Sequence, residues 1–274
     1  MASETRTPGD AAGAAAALLE TLLERVRGLL AEIFAGPEAV AAEVVDRRRE
    51  VLSAGRTFRA SDLTGIKAVV EERLAAQPMA DGLGFLAAAG LLPDRERHIT
   101  WWQRVASGLT PMRLNLDPTT IDVYDYFEMD WFAAARDEGR RAVFGPYVDY
   151  SAADHYVCTF TVPVVDGAFL GVAGTDLRMD DLEPRLLGLL RGAGHDAVLA
   201  GPERRVVAAN SPRWLVGSRL ARMPVAGDGD FLAAGEVGMD SGWVLALAAR
   251  EQPLTGLPGT GRGGPGPTGT DDSS

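Results

Sequence analysis

Between Ala14 and Phe34 the apolar residues recur at helical spacing. Leu18, Leu22, Val26, Leu29 and Ile33 form one stripe, and Leu19, Leu23 and Leu30 lie beside it. The pattern predicts a helix broken at Gly36-Pro37, with Pro37 in the first turn of a second helix that reaches about Leu52. Ser61 or Asp62 can cap a third helix, whose apolar face is Ile66, Val69, Val70 and Leu74 and which ends before Pro78. After Pro78 the apolar period shortens to that of strands. Gly84 to Ala88 and His98 to Arg104 are short strand candidates, joined by a turn around Pro93-Asp94. Tyr147 and Asp149 share one face of a strand entered through Gly145-Pro146. Tyr156, Cys158, Phe160, Val162 and Val164 share a face of the next, and Val165-Asp166-Gly167-Ala168 carries the Asp-Gly signal of a hairpin turn. On the returning strand Leu170, Val172 and Gly174 lead to Asp176, so a carboxylate ends an otherwise apolar row.

A helix from Met179 to Leu190 is expected next, with Leu182, Leu186 and Leu189 on its face. Four more short strands follow: Ala197 to Ala200, Arg205 to Ala209, Ala234 to Val237 and Trp243 to Ala249. The sum is an α+β chain. Its N-terminal helices span 11–78, a larger antiparallel-sheet lobe spans 79–192, and a smaller strand-rich lobe spans 193–251. Residues 1–10 are polar, and 252–274 are dominated by Gly, Pro, Ser and Thr; both are expected to be disordered.

Charge changes the picture by exclusion. The net charge of −11 opposes a nucleic-acid partner, which needs clustered Lys and Arg. The one basic cluster, Arg47-Arg48-Arg49, reads as a solvated helix face. The single cysteine, Cys158, forbids an internal disulfide and sits in an apolar strand, as a buried thiol does. His98, His155 and His195 show no metal-ligand spacing, so neither metal nor cofactor is expected. No secretory signal and no stretch of about 20 apolar residues is present, which points to a cytoplasmic chain without a membrane span.

The chemistry is concentrated in one place. All five tyrosines lie between Tyr124 and Tyr156, interleaved with Asp130, Trp131, Phe132 and Asp149, and Asp176 follows. Aromatic faces beside carboxylates suit a small organic cation, which gains opposite charge, a cation–π surface and shelter from water. The alternative is that the rings are core and the acids cap turns. Phe144, Tyr156 and Phe160 fit that alternative, Asp125 fits a turn, and Tyr126, Asp130 and Trp102 fit either reading.

The run Tyr124-Asp125-Tyr126, Trp131-Phe132, Gly145-Pro146-Tyr147-Val148-Asp149, Pro163-Val164 and Gly171 to Asp176 resembles the ligand-binding lobe of double Cache sensor domains. These are sensing modules of bacterial chemoreceptors and histidine kinases, with a long N-terminal helix and two tandem PAS-like lobes. The resemblance implies that plan from about Pro37 to Arg250. It also implies ligand-contacting positions at Tyr124, Met129, Trp131, Phe132, Tyr147, Asp149 and Asp176, and Tyr126 is a further candidate contact beside them. In amino-acid-binding members the Asp residues clasp the ligand's ammonium, and an Arg with aromatic hydroxyls clasps its carboxylate. Here the Arg position is Met129, and the Tyr after the Trp is Phe132. Both changes delete carboxylate-holding groups, so the implied ligand is a biogenic amine, polyamine or quaternary amine. An amino acid remains the second choice if Arg113 or Arg136 restores the missing charge.

Two facing carboxylates, Asp149 and Asp176, repel when the site is empty, and a bound cation relieves this, so binding is expected to weaken on acidification. An acid–base role for these residues, or for Asp130 with Glu128, lacks a nucleophile elbow, phosphate loop or metal spacing, and the chain is expected not to be an enzyme. Members of the family normally span a membrane and end in a signalling domain; neither is visible here. The output is therefore expected through a partner protein, a homodimer formed by the N-terminal helices, or sequestration of the ligand. A degenerate Cache scaffold acting through protein contacts is the other alternative.

Overall fold

The computed structural model describes residues 8–149 and 155–250. The two segments expected to be disordered therefore lie outside the described residues, except that the first helix already begins at Pro8. That helix, α1 (Pro8–Ser53), runs unbroken through Pro37. The predicted break at Gly36-Pro37 is therefore wrong. A proline inside a helix forfeits one rung at about 3 kcal/mol. Ile33, Phe34, Val40 and Val44, on both sides of it, are at most 1% exposed. Each such side chain contributes about 1.5–3 kcal/mol of burial, so packing outweighs the local cost.

A 3-10 turn (Ala60–Ile66) leads into α2 (Lys67–Ala76). The Asp62 carboxylate accepts from the Arg59 N–H at 2.9 Å and closes the turn. Six strands follow: β1 (Ala80–Ala87), β2 (Ile99–Val105), β3 (Gly108–Pro111), β4 (Ala142–Asp149), β5 (His155–Val165) and β6 (Phe169–Arg178). They form one antiparallel sheet in the order β3-β2-β1-β6-β5-β4. A two-turn helix, α3 (Asp130–Asp137), lies between β3 and β4. Neither α3 nor β3 is apparent from hydrophobic periodicity, because each is too short to repeat. After α4 (Met179–Leu190) come β7 (Asp196–Ala200), β8 (Val206–Ala209), β9 (Ala233–Glu236) and β10 (Val244–Ala248), paired as β8-β7-β10-β9.

The helix α1 runs across one face of both sheets, touching β5 and β6 of the larger and β9 and β10 of the smaller. One apolar core accordingly joins Leu22, Leu30 and Phe34 to Phe85 and Phe160 and on to Leu245 and Trp243. The predicted helical segment 11–78 is therefore shared by both lobes. The basic cluster on α1 is more than a solvated face: Arg48 and Arg49 each reach Asp166 at 2.8 Å, at the tip of the β5–β6 hairpin. The Arg49 hydrogen bond holds the Asp166 carboxyl below the usual carboxylate range. Cys158 is buried, and burial pushes its thiol well up. No helix among the described residues is long and apolar enough to cross a membrane.

The opposite face of the larger sheet carries a second core built around Tyr126, Trp131, Phe132 and Val172. Tyr126 is fully buried; its hydroxyl donates to the Ala87 carbonyl at 2.8 Å and accepts from the His98 N–H at 3.2 Å. Burial pushes this phenol up to about 12. Tyr126→Phe is expected to cost about 1–3 kcal/mol in a urea titration, because buried backbone groups lose their partner. The alkaline behaviour fixes a second expectation. The unfolded phenol ionises near pH 10 and the folded one about two units higher, so stability is intact below about pH 10 and falls as pH rises toward about 12. The Phe variant should lose less stability than wild type across that window.

Candidate ligand-binding site

The site is built on the sheet face turned away from α1. Along β1, Leu83 and Phe85 join the core with α1, so Gly82, Gly84 and Leu86 face the other way. Cross-strand pairing sets Gly82 beside Asp176 and Gly84 beside Gly174 on β6, and on β5 Thr159 beside Asp176 and Thr161 beside Gly174. Three of these positions are glycine, and the Trp101 indole lies against two of them, Gly82 and Gly174. A Cβ at Gly82 would overlap Trp101 Nε1, and one at Gly174 would lie 3.5 Å from Trp101 Cζ3. The glycines thus form a trough, and the indole fills it.

Beside this indole the walls of a cavity converge. Leu86, Ile99 and Trp101 come from β1 and β2, Met112 and Leu114 from the segment after β3, and Tyr124 and Trp131 from the connection into α3. Tyr147, Thr159, Thr161 and Asp176 close it from β4, β5 and β6. Its empty space, mouth included, is only about 430 Å³. It is therefore a narrow slot, suited to a slender small molecule.

A directed chain of hydroxyls ends on the carboxylate. Thr159 Oγ1 donates to Asp176 Oδ1 at 2.6 Å, so its bond to the Tyr147 hydroxyl at 2.8 Å is one it accepts. Tyr147 reaches the slot because of a bulge. The Gly145-Pro146 peptide is cis, and the β4–β5 register shifts between Phe144 and Tyr147. Phe144 pairs with Thr159 and Tyr147 with Val157, so the bulge puts Phe144 and Tyr147 on the same face although they are three residues apart. Gly145 sits at φ +117, a conformation that side chains rarely adopt.

Of the predicted residues, Tyr124, Trp131, Tyr147 and Asp176 meet at this slot. Asp149 occupies the last position of β4, paired with His155; its side chain lies outside the described residues. Three others stand elsewhere and do not line this slot. Phe132 is 1% exposed and packs edge-on against Tyr126 and Phe169, because successive helical positions point about 100° apart and Trp131 takes the slot. Tyr126 is held by the backbone bonds described above. Met129 is 37% exposed, between a 3-10 turn and α3. Asp125 serves the turn, accepting from the Phe127 N–H and pairing with Arg97 at 2.9 Å. Trp102 and Phe160 belong to the core with α1.

No Lys or Arg lines the slot. Arg113 is exposed between the inward-facing Met112 and Leu114. Arg136 is engaged by Asp137 at 2.7 Å and by the Phe127 carbonyl at the surface. Among the described residues no group of three or more His, Cys, Asp or Glu side chains is placed to hold a metal ion. Trp131 and Tyr147 also border a broader groove of about 1290 Å³ between the lobes, whose far side is formed by Pro202, Arg205 and Gly242.

Residues 66–184, which hold α2, α3 and the first half of α4 with the whole larger sheet, match the model of the methyl-accepting chemotaxis protein-like, first PDC sensor domain family. The sensory domain of the Campylobacter jejuni chemoreceptor Tlp3 is similar in structure, with a TM-score of 0.61 at 16% identity over 87% of this chain and 93% of that one. The Tlp3 ligand-binding domain in complex with L-norvaline gives 0.59 at 13% identity, over 91% and 95% of the two chains. A protein described as methyl-accepting chemotaxis protein X gives 0.50 at 16%, over 81% and 98%. No curated protein is similar in sequence. At these identities the likeness establishes the fold, which is the PDC/Cache type: a long N-terminal helix and two antiparallel sheets.

Proposed function

We propose that this chain is a ligand-binding sensor module whose larger lobe holds a small organic amine in the slot, its ammonium against Asp176. One observation carries the reading: the slot has a carboxylate and the rings of Trp101, Tyr124, Trp131 and Tyr147, with no Lys or Arg among its lining residues. Such a site attracts a cation through paired charge and ring faces. It offers no countercharge to a ligand's carboxylate, whose desolvation would go uncompensated. Asp149, at the end of β4, is the second acid proposed for the ammonium. The signal is proposed to leave through α1, since that helix packs against both sheets, and to reach a partner protein or a second copy of the chain.

The compared Tlp3 structures include complexes with L-valine and L-norvaline. The present slot fits the decarboxylated counterparts of such ligands better. The test is a thermal-shift comparison of isobutylamine with L-valine and of n-butylamine with L-norvaline. A ligand at 100 times its dissociation constant adds about 2.7 kcal/mol. For a chain of this size that raises the melting temperature by roughly 5 °C or more. The amines are expected to stabilise and the amino acids not. Stabilisation by L-valine exceeding that by isobutylamine would overturn the reading and restore an amino-acid ligand.

A further inference from the structure

The slot contains two polar groups that the ammonium does not use. The Thr161 hydroxyl and the Trp101 indole N–H have no hydrogen-bond partner among the described residues. Thr161 is 1% exposed and Trp101 6%, yet both side chains line the slot. Native interiors rarely leave such groups unmatched, because an unpaired buried hydroxyl or N–H is unfavourable. At position 161 a valine would fill the same volume and suit a central strand at least as well. The Thr161 methyl is the group that approaches the Gly174 floor, 3.1 Å from where a Cβ there would lie. The hydroxyl therefore has no structural duty in the fold, and its place in the wall of the slot calls for a ligand atom.

Building on the amine reading, we infer that the ligand carries a second feature: a neutral oxygen, hydroxyl or carbonyl, that hydrogen-bonds to Thr161, with the Trp101 N–H as a further donor. The oxygen is neutral because both groups are neutral and no Lys or Arg lines the slot. Its distance from the ammonium follows from the strand. Thr161 lies two residues along β5 from Thr159, the cross-strand partner of Asp176, a spacing of about 7 Å. The ligand class is thus an amino alcohol, a phenolic amine or an amine with an amide, of short span, rather than a plain alkylamine.

The experiment compares isosteric probes on the full chain by calorimetry: 4-amino-1-butanol against n-pentylamine, and tyramine against 2-phenylethylamine. In each pair a hydroxyl is present or absent at the end remote from the amine. In at least one pair the hydroxylated probe is expected to bind about tenfold or more tightly, as a buried hydrogen bond supplies. Thr161→Val should bring the two affinities together, and Trp101→Phe, which keeps a ring over the glycines, should narrow the gap. The melting temperature of ligand-free Thr161→Val should equal or exceed that of wild type, because the hydroxyl it removes has no partner. Equal affinities in both pairs, or a preference that survives Thr161→Val, would overturn this inference and leave the amine reading standing. If none of the four amines binds, the amine reading falls and takes this subsite with it.

Discussion

Asp176→Asn is expected to weaken isobutylamine binding by about 2–5 kcal/mol, the usual result of removing one partner of a buried charge pair. That corresponds to between roughly thirtyfold and several thousandfold in dissociation constant. The size follows from where the carboxylate stands. Asp176 is half-buried on β6, beside Gly82 and Thr159, and shares its slot with aromatic and aliphatic side chains. An ammonium entering this space leaves its water behind, and the Asp176 charge is what compensates it. Asparagine keeps the shape and an oxygen that can accept from Thr159, so the fold should be little affected while the charge is lost. Calorimetric titration of wild type and variant, with their melting temperatures measured alongside, separates the two effects. Affinities within threefold of each other would mean that Asp176 is a structural acceptor for Thr159 and that the cation sits elsewhere.

Much of this frame is legible in the amino-acid sequence because it depends on short-range repetition. The stripe from Leu22 to Ile33 is buried as its spacing requires, the Asp166-Gly167 turn joins β5 to β6, and α4 has the bounds that its leucines predict. What is not legible depends on partners distant in the chain. Pro37 stays inside α1 because the helix has two sheets to cover, which no local propensity records. Arg48 and Arg49 find Asp166 more than a hundred residues away. The adjacent pairs Trp101-Trp102 and Trp131-Phe132 show the same limit within the site. Alternation or helical rotation sends one of each pair to the slot and the other to a core, and the sequence does not say which. Thr159 and Thr161 are missed for another reason. The apolar face of β5 is conspicuous, whereas threonine on the other face looks like an ordinary strand former. A hydroxyl opposite Asp176 is the signal that could have found Thr159.

Gly84→Ala should be among the most damaging single-methyl changes in the larger lobe, costing about 3 kcal/mol or more in a urea titration, the upper range for forcing volume into a packed sheet. A Cβ at this position would lie 2.6 Å from Trp101 Cα and nearer still to the Thr100 carbonyl oxygen. Both obstacles are backbone, and Gly84 faces Trp101 directly across the β1–β2 ladder, so neither can turn aside as a side chain would. Relief requires the strands to separate, and that undoes the seat of Trp101 as well as the ladder. Gly82→Ala differs in kind, because its Cβ would meet Trp101 Nε1, a side-chain atom, and the indole can yield into the slot. Gly28→Ala in α1 provides the contrast. Its Cβ meets nothing within 4 Å, the site is exposed in mid-helix, and the change should add about 0.5–1 kcal/mol. If Gly84→Ala proved as stable as wild type, β1 and β2 could slide or spread without loss. The narrowness of the slot would then reflect one position of a yielding wall rather than a floor set by close-packed backbone.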